Sequence, residues 1–147
     1  MLGADNRGFT LIEVIVTMIV IAIMAAVAMS RVSIQGDLLS QADIVKSHLR
    51  FVQIKALHDD TSDTAPWGIA FAGGSYRLSK NNLAATIPLP SEDSNVHTFP
   101  AGVTATTVTV NFDRWGSPGT TNIPITLSQG GATTTIVVTA NTGHITP

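Results

Sequence analysis

The sequence predicts an α+β protein in which one long N-terminal helix packs on antiparallel β-hairpins. An apolar run opens the chain at residues 9–29, and no proline occurs before Pro66 to interrupt a helix that continues beyond this run. From Trp67 onward the pattern becomes that of short strands, with turns at Gly73-Gly74 and Gly130-Gly131. The helix therefore comes first along the chain and the sheet follows it.

The apolar run is long enough to cross a membrane as a helix. It has about 21 residues, which at about 1.5 Å each span a hydrocarbon core of about 30 Å. A secretory signal peptide has a shorter apolar core, and a plain signal anchor gives no reason for the one charge in the run, Glu13. Because a carboxylate inside such a segment is costly, we predict a retained membrane helix in which Glu13 has a function.

The helix is predicted to run without interruption from about Phe9 to about His58. Beyond the apolar run, apolar residues recur at alternating spacings of four and three, the pattern of a single buried helical stripe. The stripe consists of Leu38, Ala42, Val45, Leu49, Val52 and Ala56. Ser30 and Gly36 are the weak points of this helix, and any unwinding on assembly is expected between them.

Short apolar stretches after Pro66 predict a sheet built of hairpins. Alternation of apolar and polar residues is clearest from Thr107 to Phe112, and Pro88 confines its own stretch to the edge of a sheet. The glycine pairs supply the hairpin turns. The predicted strands are residues 67–72, 76–79, 83–89, 103–112, 123–128, 133–140 and 144–145.

Composition argues against several kinds of chemistry. A net charge of −2 gives no indication of nucleic-acid binding, and the absence of cysteine excludes disulfides. The four histidines are scattered, and no pair has the spacing of metal ligands on a predicted element. Motifs of nucleophilic or phosphate-binding sites do not occur. We therefore expect no enzyme activity, no metal site and no cofactor.

Two segments are compatible with a binding role as well as with a structural one. Residues 59–66 (DDTSDTAP) hold three aspartates in five residues, but their spacing matches no known calcium loop, and a solvated connection also fits. Residues 113–116 (DRWG) fit a binding loop, or a tight turn with an ion pair and a packed tryptophan. For both segments we predict the structural role.

Residues 8–13 (GFTLIE), followed by an apolar helix, resemble the processing motif of type IV prepilins and type II secretion pseudopilins. This resemblance implies that a membrane prepilin peptidase cuts after Gly8 and methylates the new amino terminus on Phe9. It also implies that Glu13 pairs with the Phe9 amino group of a neighbouring subunit in a filament. The alternative for Glu13 is a carboxylate that merely reaches the lipid headgroups near the positive end of the helix dipole.

The C-terminal third carries a second resemblance. Residues 108–118 (VTVNFDRWGSP) and 123–145 (IPITLSQGGATTTIVVTANTGHI) resemble the closing strands of the GspH/FimT family. That family contains the H-type minor pseudopilins of type II secretion and related minor pilins. The resemblance implies a type IV pilin-like fold, divided into a cleaved leader (1–8), a transmembrane and assembly helix (9–29), its amphipathic continuation (30–58) and a periplasmic β domain (59–147).

Together the two resemblances imply a structural minor pseudopilin that assembles at the tip of a periplasmic pseudopilus for protein export. A minor type IV pilin that primes pilus assembly has the same leader, helix and fold. A DNA-binding competence pilin fits less well, because residues 116–147 contain no lysine or arginine. The expected partners are other pseudopilins or pilins, the prepilin peptidase, the inner-membrane assembly platform and, before assembly, the lipid bilayer. No nucleic-acid partner is expected. The expected location is the bacterial inner membrane, with the N-terminus on the cytoplasmic side.

Overall fold

The computed structural model describes residues 10–146, except for the side chains of residues 30–35. The predicted leader, residues 1–8, and Phe9 lie outside the described residues. The chain divides into two compact units, residues 1–34 and residues 35–147. An apolar helical segment makes up the described part of the first unit, and an α+β domain makes up the second.

Helix α1 runs from Leu11 to Leu57 as one α-helix, and its backbone is helical across the predicted weak segment between Ser30 and Gly36. Its last turn is closed by local bonds. The His58 amide donates to the Ile54 carbonyl oxygen, and the buried Ser62 hydroxyl donates to the Ala56 carbonyl oxygen at 3.0 Å. The helix therefore ends one residue before the predicted His58, where a side chain replaces the next backbone donor.

The first unit contains the apolar part of α1, Leu11–Met29. These 19 residues have a mean hydropathy of 2.8, and none of them is buried. By length and composition the segment can cross a membrane. Its large apolar side chains are exposed, from 41% at Val14 to 78% at Leu11. Such a surface is unfavourable in water and favourable in lipid or against other helices.

The second unit contains the rest of α1 and two antiparallel sheets. The strands of the described residues are β1 (Trp67–Phe71), β2 (Ser75–Lys80), β3 (Leu83–Ala84), β4 (Val96–Thr98), β5 (Thr104–Ala105), β6 (Thr109–Phe112), β7 (Ile123–Gln129), β8 (Ala132–Val138) and β9 (Ile145–Thr146). The first sheet has the order β3-β2-β1-β6, with β4 also paired to β2, and the second has the order β5-β7-β8-β9.

One core joins the amphipathic half of α1 to both sheets. All six residues of the predicted stripe are buried, from Leu38 to Ala56. Their partners include Ile69 and Phe112 of the first sheet and Ile125 of the second, each 0% exposed. A fully buried aliphatic side chain contributes about 1.5–3 kcal/mol through removal from water. The sequence pattern therefore identified the packing face of the helix, and the predicted α+β class is confirmed.

The prediction of one strand at residues 103–112 is wrong. The structure splits it into β5 in the second sheet and β6 in the first. Ala105 pairs with Leu127 of β7 in the second sheet, while Val110 pairs with Ile69 of β1 in the first. The chain crosses between sheets over residues 106–108, because each end of the segment finds its backbone partners in a different sheet.

The predicted edge strand at residues 83–89 is shorter than expected, and β4 was not predicted at all. Only Leu83–Ala84 pairs with β2, because the chain turns away after the Ala85 amide bonds to the Leu78 carbonyl oxygen. Prolines at 88 and 90 cannot donate to a ladder, which prevents a longer strand. Strand β4 has three residues next to a segment rich in serine and aspartate, too few for an alternation to be visible.

Candidate functional site

The start of α1 is built around Thr10 and Glu13. The Glu13 amide donates to the Thr10 carbonyl oxygen at 3.1 Å and approaches the Thr10 hydroxyl oxygen at 3.3 Å, and the Val14 amide also donates to the Thr10 carbonyl. Thr10 is therefore the N-cap of the helix, and Glu13 is its third residue, the spacing of a capping box. The cap holds Glu13 in the first turn, where the helix dipole favours an anion.

Glu13 is the one charged residue of an otherwise uncharged apolar surface. It lies between exposed Ile12 and Val14, and no lysine, arginine or histidine whose side chain the structure describes forms an ion pair with it. In hydrocarbon, a carboxylate in this position is costly unless a cation or hydrogen-bond donors reach it. The site is therefore suited to receive a positive group from outside the described residues.

The three residues predicted from the sequence have different outcomes. Glu13 lies in the first helical turn, while Gly8 and Phe9 fall outside the described residues, so their predicted cleavage and methylation stay predictions. The predictions missed Thr10, although the sequence carries its signal. A threonine three residues before a glutamate, at the start of an apolar helix, is the pattern of a helix N-terminus.

In the second unit, a buried polar cluster fastens the segment after β3 to the helix. His48 Nε2 donates to the Pro90 carbonyl oxygen at 3.0 Å, so the neutral ring accepts the Tyr76 hydroxyl at Nδ1, at 2.7 Å. On the same side, His97 Nδ1 lies 2.6 Å from a Glu92 carboxylate oxygen, and its Nε2 lies 3.1 Å from Oε1 of Gln41.

Burial sets the protonation of this cluster. It lowers the pKa of His48 below the ordinary value of 6.5; the bond to Pro90 opposes this effect, and the nearby His97 adds to it. Burial likewise raises the pKa of Tyr76, and Glu92 adds to the increase. A neutral His48 and a neutral Tyr76 are the forms that can share their hydrogen bond.

The ring centroids of His48 and His97 lie 5.8 Å apart, a proximity that no sequence pattern predicted. All four ring nitrogens have hydrogen-bond partners in the protein, which leaves none to bind a metal. Nor do the described residues hold any group of three or more potential ligands from histidine, cysteine, aspartate or glutamate. The cluster is therefore a structural connection between β2, β4 and the helix.

The segment that resembled a binding loop is a tight turn, Asp113–Ser117. Oδ1 of Asp113 accepts the amides of Trp115 and Ser117, both at 2.9 Å. Arg114 forms an ion pair with Asp63, and its guanidinium lies 4.8 Å from the Trp115 ring centroid. Trp115 is 71% exposed, so the expectation that it packs in the protein is wrong. The turn presents an aromatic ring to solvent on a fixed backbone.

Comparison with known protein families gives one match. Residues 3–29 match the prokaryotic N-terminal methylation motif, the N-terminus of type IV prepilins. No curated protein and no solved structure shows significant similarity to the chain. The match covers the predicted leader and the apolar part of α1, and it indicates a structural protein with a type IV pilin-like layout. The likeness to the GspH/FimT family is not part of this match.

Proposed function

We propose that this type IV pilin-like chain is a minor pseudopilin of type II secretion, located at the tip of a periplasmic pseudopilus. The observation that carries the proposal is an apolar helix, matched by the methylation motif, whose first turn holds one acidic residue. Assembly with other pilin-class subunits and processing by a prepilin peptidase follow from the motif. The finer assignment rests on the resemblance of residues 108–145 to the GspH/FimT family.

In this proposal the chain begins as a membrane protein. The peptidase removes residues 1–8 on the cytoplasmic side and methylates Phe9, and the Leu11–Met29 segment holds the subunit in the bilayer. The β domain is then periplasmic. The assembly platform of the inner membrane extracts the helix and packs it among other apolar helices, a transfer that keeps its side chains out of water.

Glu13 sets the axial position of each subunit in the filament. Its carboxylate lies in an apolar segment and needs a cation, and the methylated amino group of Phe9 on a neighbouring subunit supplies one charge of the right sign. A pair buried among helices is favourable only when both partners are in place, so an incorrect register is strongly disfavoured. The Thr10 cap contributes by holding Glu13 in a fixed turn.

The first test is mass spectrometry of the N-terminus from native membranes, together with identification of co-purified proteins. The expected mature chain begins at N-methylated Phe9 and co-purifies with other pseudopilins. Glu13→Leu is expected to keep processing and lose co-purification. Thr17→Leu is the matched control, since it adds the same apolar group one turn along the helix without removing a charge.

Three results would redirect the proposal. An intact leader, or cleavage after the alanine-rich segment near Met29, would contradict the prepilin interpretation. Co-purification with type IV pilus components in place of secretion components would assign the chain to pilus assembly. Salt-dependent binding of DNA would favour the competence alternative, although the uncharged residues 116–147 argue against it.

A further inference from the structure

Strand β8 of the second sheet is paired along its whole length on one side only. Its seven residues, Ala132–Val138, pair with β7, whereas β9 pairs only with Val137 and Val138. In the part of the chain that the structure describes, five residues, 132–136, therefore have no strand on their second side. An edge of this kind offers unpaired backbone donors and acceptors to another chain.

The hairpin geometry shows which backbone groups are free. The two-residue turn Gly130-Gly131 has φ of +56° and +85°, and in such a turn the flanking residues Gln129 and Ala132 form a hydrogen-bonded pair. The backbone amides and carbonyls of alternate residues along β8 then bond to β7, and those of the residues between them face the open side. The residues whose backbone groups face the open side are Thr133 and Thr135.

The far end of the strand agrees with this alternation. The Thr139 amide donates to the His144 carbonyl oxygen, which places residue 139, and hence residues 137, 135 and 133, on the β9 side. Among the backbone groups and side chains that the structure describes, none from another element bonds to the amides or carbonyls of Thr133 and Thr135. Two amides and two carbonyl oxygens are thus free to form a ladder.

This edge lacks the features that normally prevent strand addition. Its outward side chains are threonines, and the four strands of the sheet contain no charged residue. The opposite edge of the sheet is protected, because β7 contains Pro124 and both backbone groups of its Thr126 are bonded to Thr106. The Thr126 carbonyl oxygen accepts the Thr106 amide, and the Thr126 amide donates to the Thr106 hydroxyl oxygen. Charges and prolines are the usual protection, and β8 has neither.

An apolar hollow of about 220 Å³ lies beside the start of the open edge. Leu38, Leu39, Ala132, Thr133 and Thr134 line it, and Leu39 is 61% exposed. A strand added beside β8 has side chains on alternating faces, so an apolar side chain on its inner face can enter this hollow. Backbone bonds then supply affinity and the hollow supplies selectivity.

We propose that an extended, uncharged segment of a neighbouring filament subunit adds to the open edge of β8, in line with β9, and places an apolar side chain against Leu39. The proposal rests on the proposed filament function. A charged segment is disfavoured because the sheet offers its charges no partner and the hollow is apolar. Pairing of β8 with β8 of a second copy gives a closed two-fold contact, whereas a filament needs contacts that do not close.

The test uses the full-length chain in native membranes, with a photoreactive benzophenone side chain at position 39. The expected adduct is with a different pilin-class subunit, identified by mass spectrometry through its own N-terminal methylation motif. Thr135→Pro removes one free amide without removing a bond to β7, and it is expected to lower adduct yield about tenfold. Thr135→Val keeps the amide and the strand propensity, and it is expected to leave the yield unchanged.

A second pair of variants separates edge pairing from folding. Thr135→Lys leaves the backbone intact but puts a charge on the edge, and it is expected to lower the yield. Thr126→Lys puts the same charge on the same face of the sheet, but on β7, which lies one strand away from the open edge. It is expected to lower the adduct yield less than Thr135→Lys does.

The outcomes distinguish this proposal from the filament function on which it rests. An adduct with a second copy, or with a protein that lacks the methylation motif, would show that the occupant is wrong. Equal yields for Thr135→Pro and Thr135→Val, in a chain that is methylated at Phe9 and co-purifies with pilin-class subunits, would overturn the edge proposal alone. An unprocessed leader would overturn the filament function and, with it, the assigned occupant.

Discussion

The side-chain amide of Gln53 donates a hydrogen bond of 2.9 Å to the carbonyl oxygen of Gly116. The same nitrogen lies 3.2 Å from the carbonyl oxygen of Gly143. An amide has two hydrogens, so one helical side chain can bind two loops that are distant in sequence. It thereby fixes the turn that presents Trp115 and the turn that leads into β9.

Gly143→Ala is expected to lower the free energy of unfolding by about 3 kcal/mol. The residue has φ of +64°, where a Cβ is strained, and a Cβ there would overlap the Gly116 carbonyl oxygen and the Gln53 amide. Urea unfolding of the full chain in detergent, followed by near-ultraviolet circular dichroism, measures the change.

Gly131→Ala is the control for this prediction. Its φ is +85°, but no atom lies within 4 Å of the added Cβ, so only backbone strain of about 1 kcal/mol is expected. Equal losses in the two variants would mean that close packing of Gly143 against Gly116 contributes nothing.

Thr10→Ala is expected to destabilise the first turn of α1 by about 1 kcal/mol, because it removes the hydroxyl that caps the Glu13 amide. Exchange of the Glu13 amide in detergent micelles should then accelerate about fivefold. Thr10→Ser keeps an oxygen at the cap and should exchange as the original chain does. If both variants exchange like the original chain, the cap does not hold this turn.

The sequence predicted those parts of the fold that depend on local periodicity. The stripe from Leu38 to Ala56 has helical spacing, so the packing face of α1 could be read directly, and the Gly130-Gly131 turn located the β7–β8 hairpin. Residues 103–112 show why this fails elsewhere. Their alternation fits a strand, but which sheet each end joins depends on partners such as Leu127 and Ile69, far away along the chain.

The same contrast between local sequence patterns and distant contacts applies to the candidate site. Glu13 stands out because a charge in an apolar run is visible in the sequence, and the cap at Thr10 has a local pattern that could have been found. The meeting of His48 with Tyr76 and His97 has no local pattern, because three separate elements bring these residues together. The open edge of β8 depends on the length of β9, which residue spacing does not determine.

Lys80→Met is expected to raise the pKa of Asp59. The hydrogen bond from Lys80 holds this pKa well below its ordinary value, and bonds from Thr61 and Trp67 add to the effect. A carboxylate with a lowered pKa stabilises the fold above pH of about 4 and loses this contribution as the pH falls. Removing Lys80 should therefore shrink the acid-induced loss of stability.

A carbon-13 titration of the Asp59 carboxyl group measures the shift. Arg77→Met is the matched control, because Arg77 lies on the same strand and is exposed, and no ion pair joins it to Asp59 in the part of the chain that the structure describes. The Asp59 titration should be unchanged in this control. A similar upward shift in both variants would attribute the effect to general charge and not to the Lys80 contact.

Acidification from pH 7 towards pH 5 is expected to destabilise the second unit through His48. Burial lowers the pKa of His48 in the folded chain, so the unfolded chain binds more protons in the interval just below pH 6.5, and stability rises with pH there. Protonation also puts a hydrogen on Nδ1, which now accepts the Tyr76 hydroxyl, and the bond cannot persist in that form.

His48→Gln separates this effect from that of the other groups in the cluster. Glutamine keeps a donor for the Pro90 carbonyl oxygen and does not titrate, while Glu92 and His97 remain in both proteins. Unfolding free energies measured by urea at pH 7, 6 and 5 should fall steeply in the original chain and less in the variant. Parallel slopes in the two proteins would remove His48 as the source of the pH dependence.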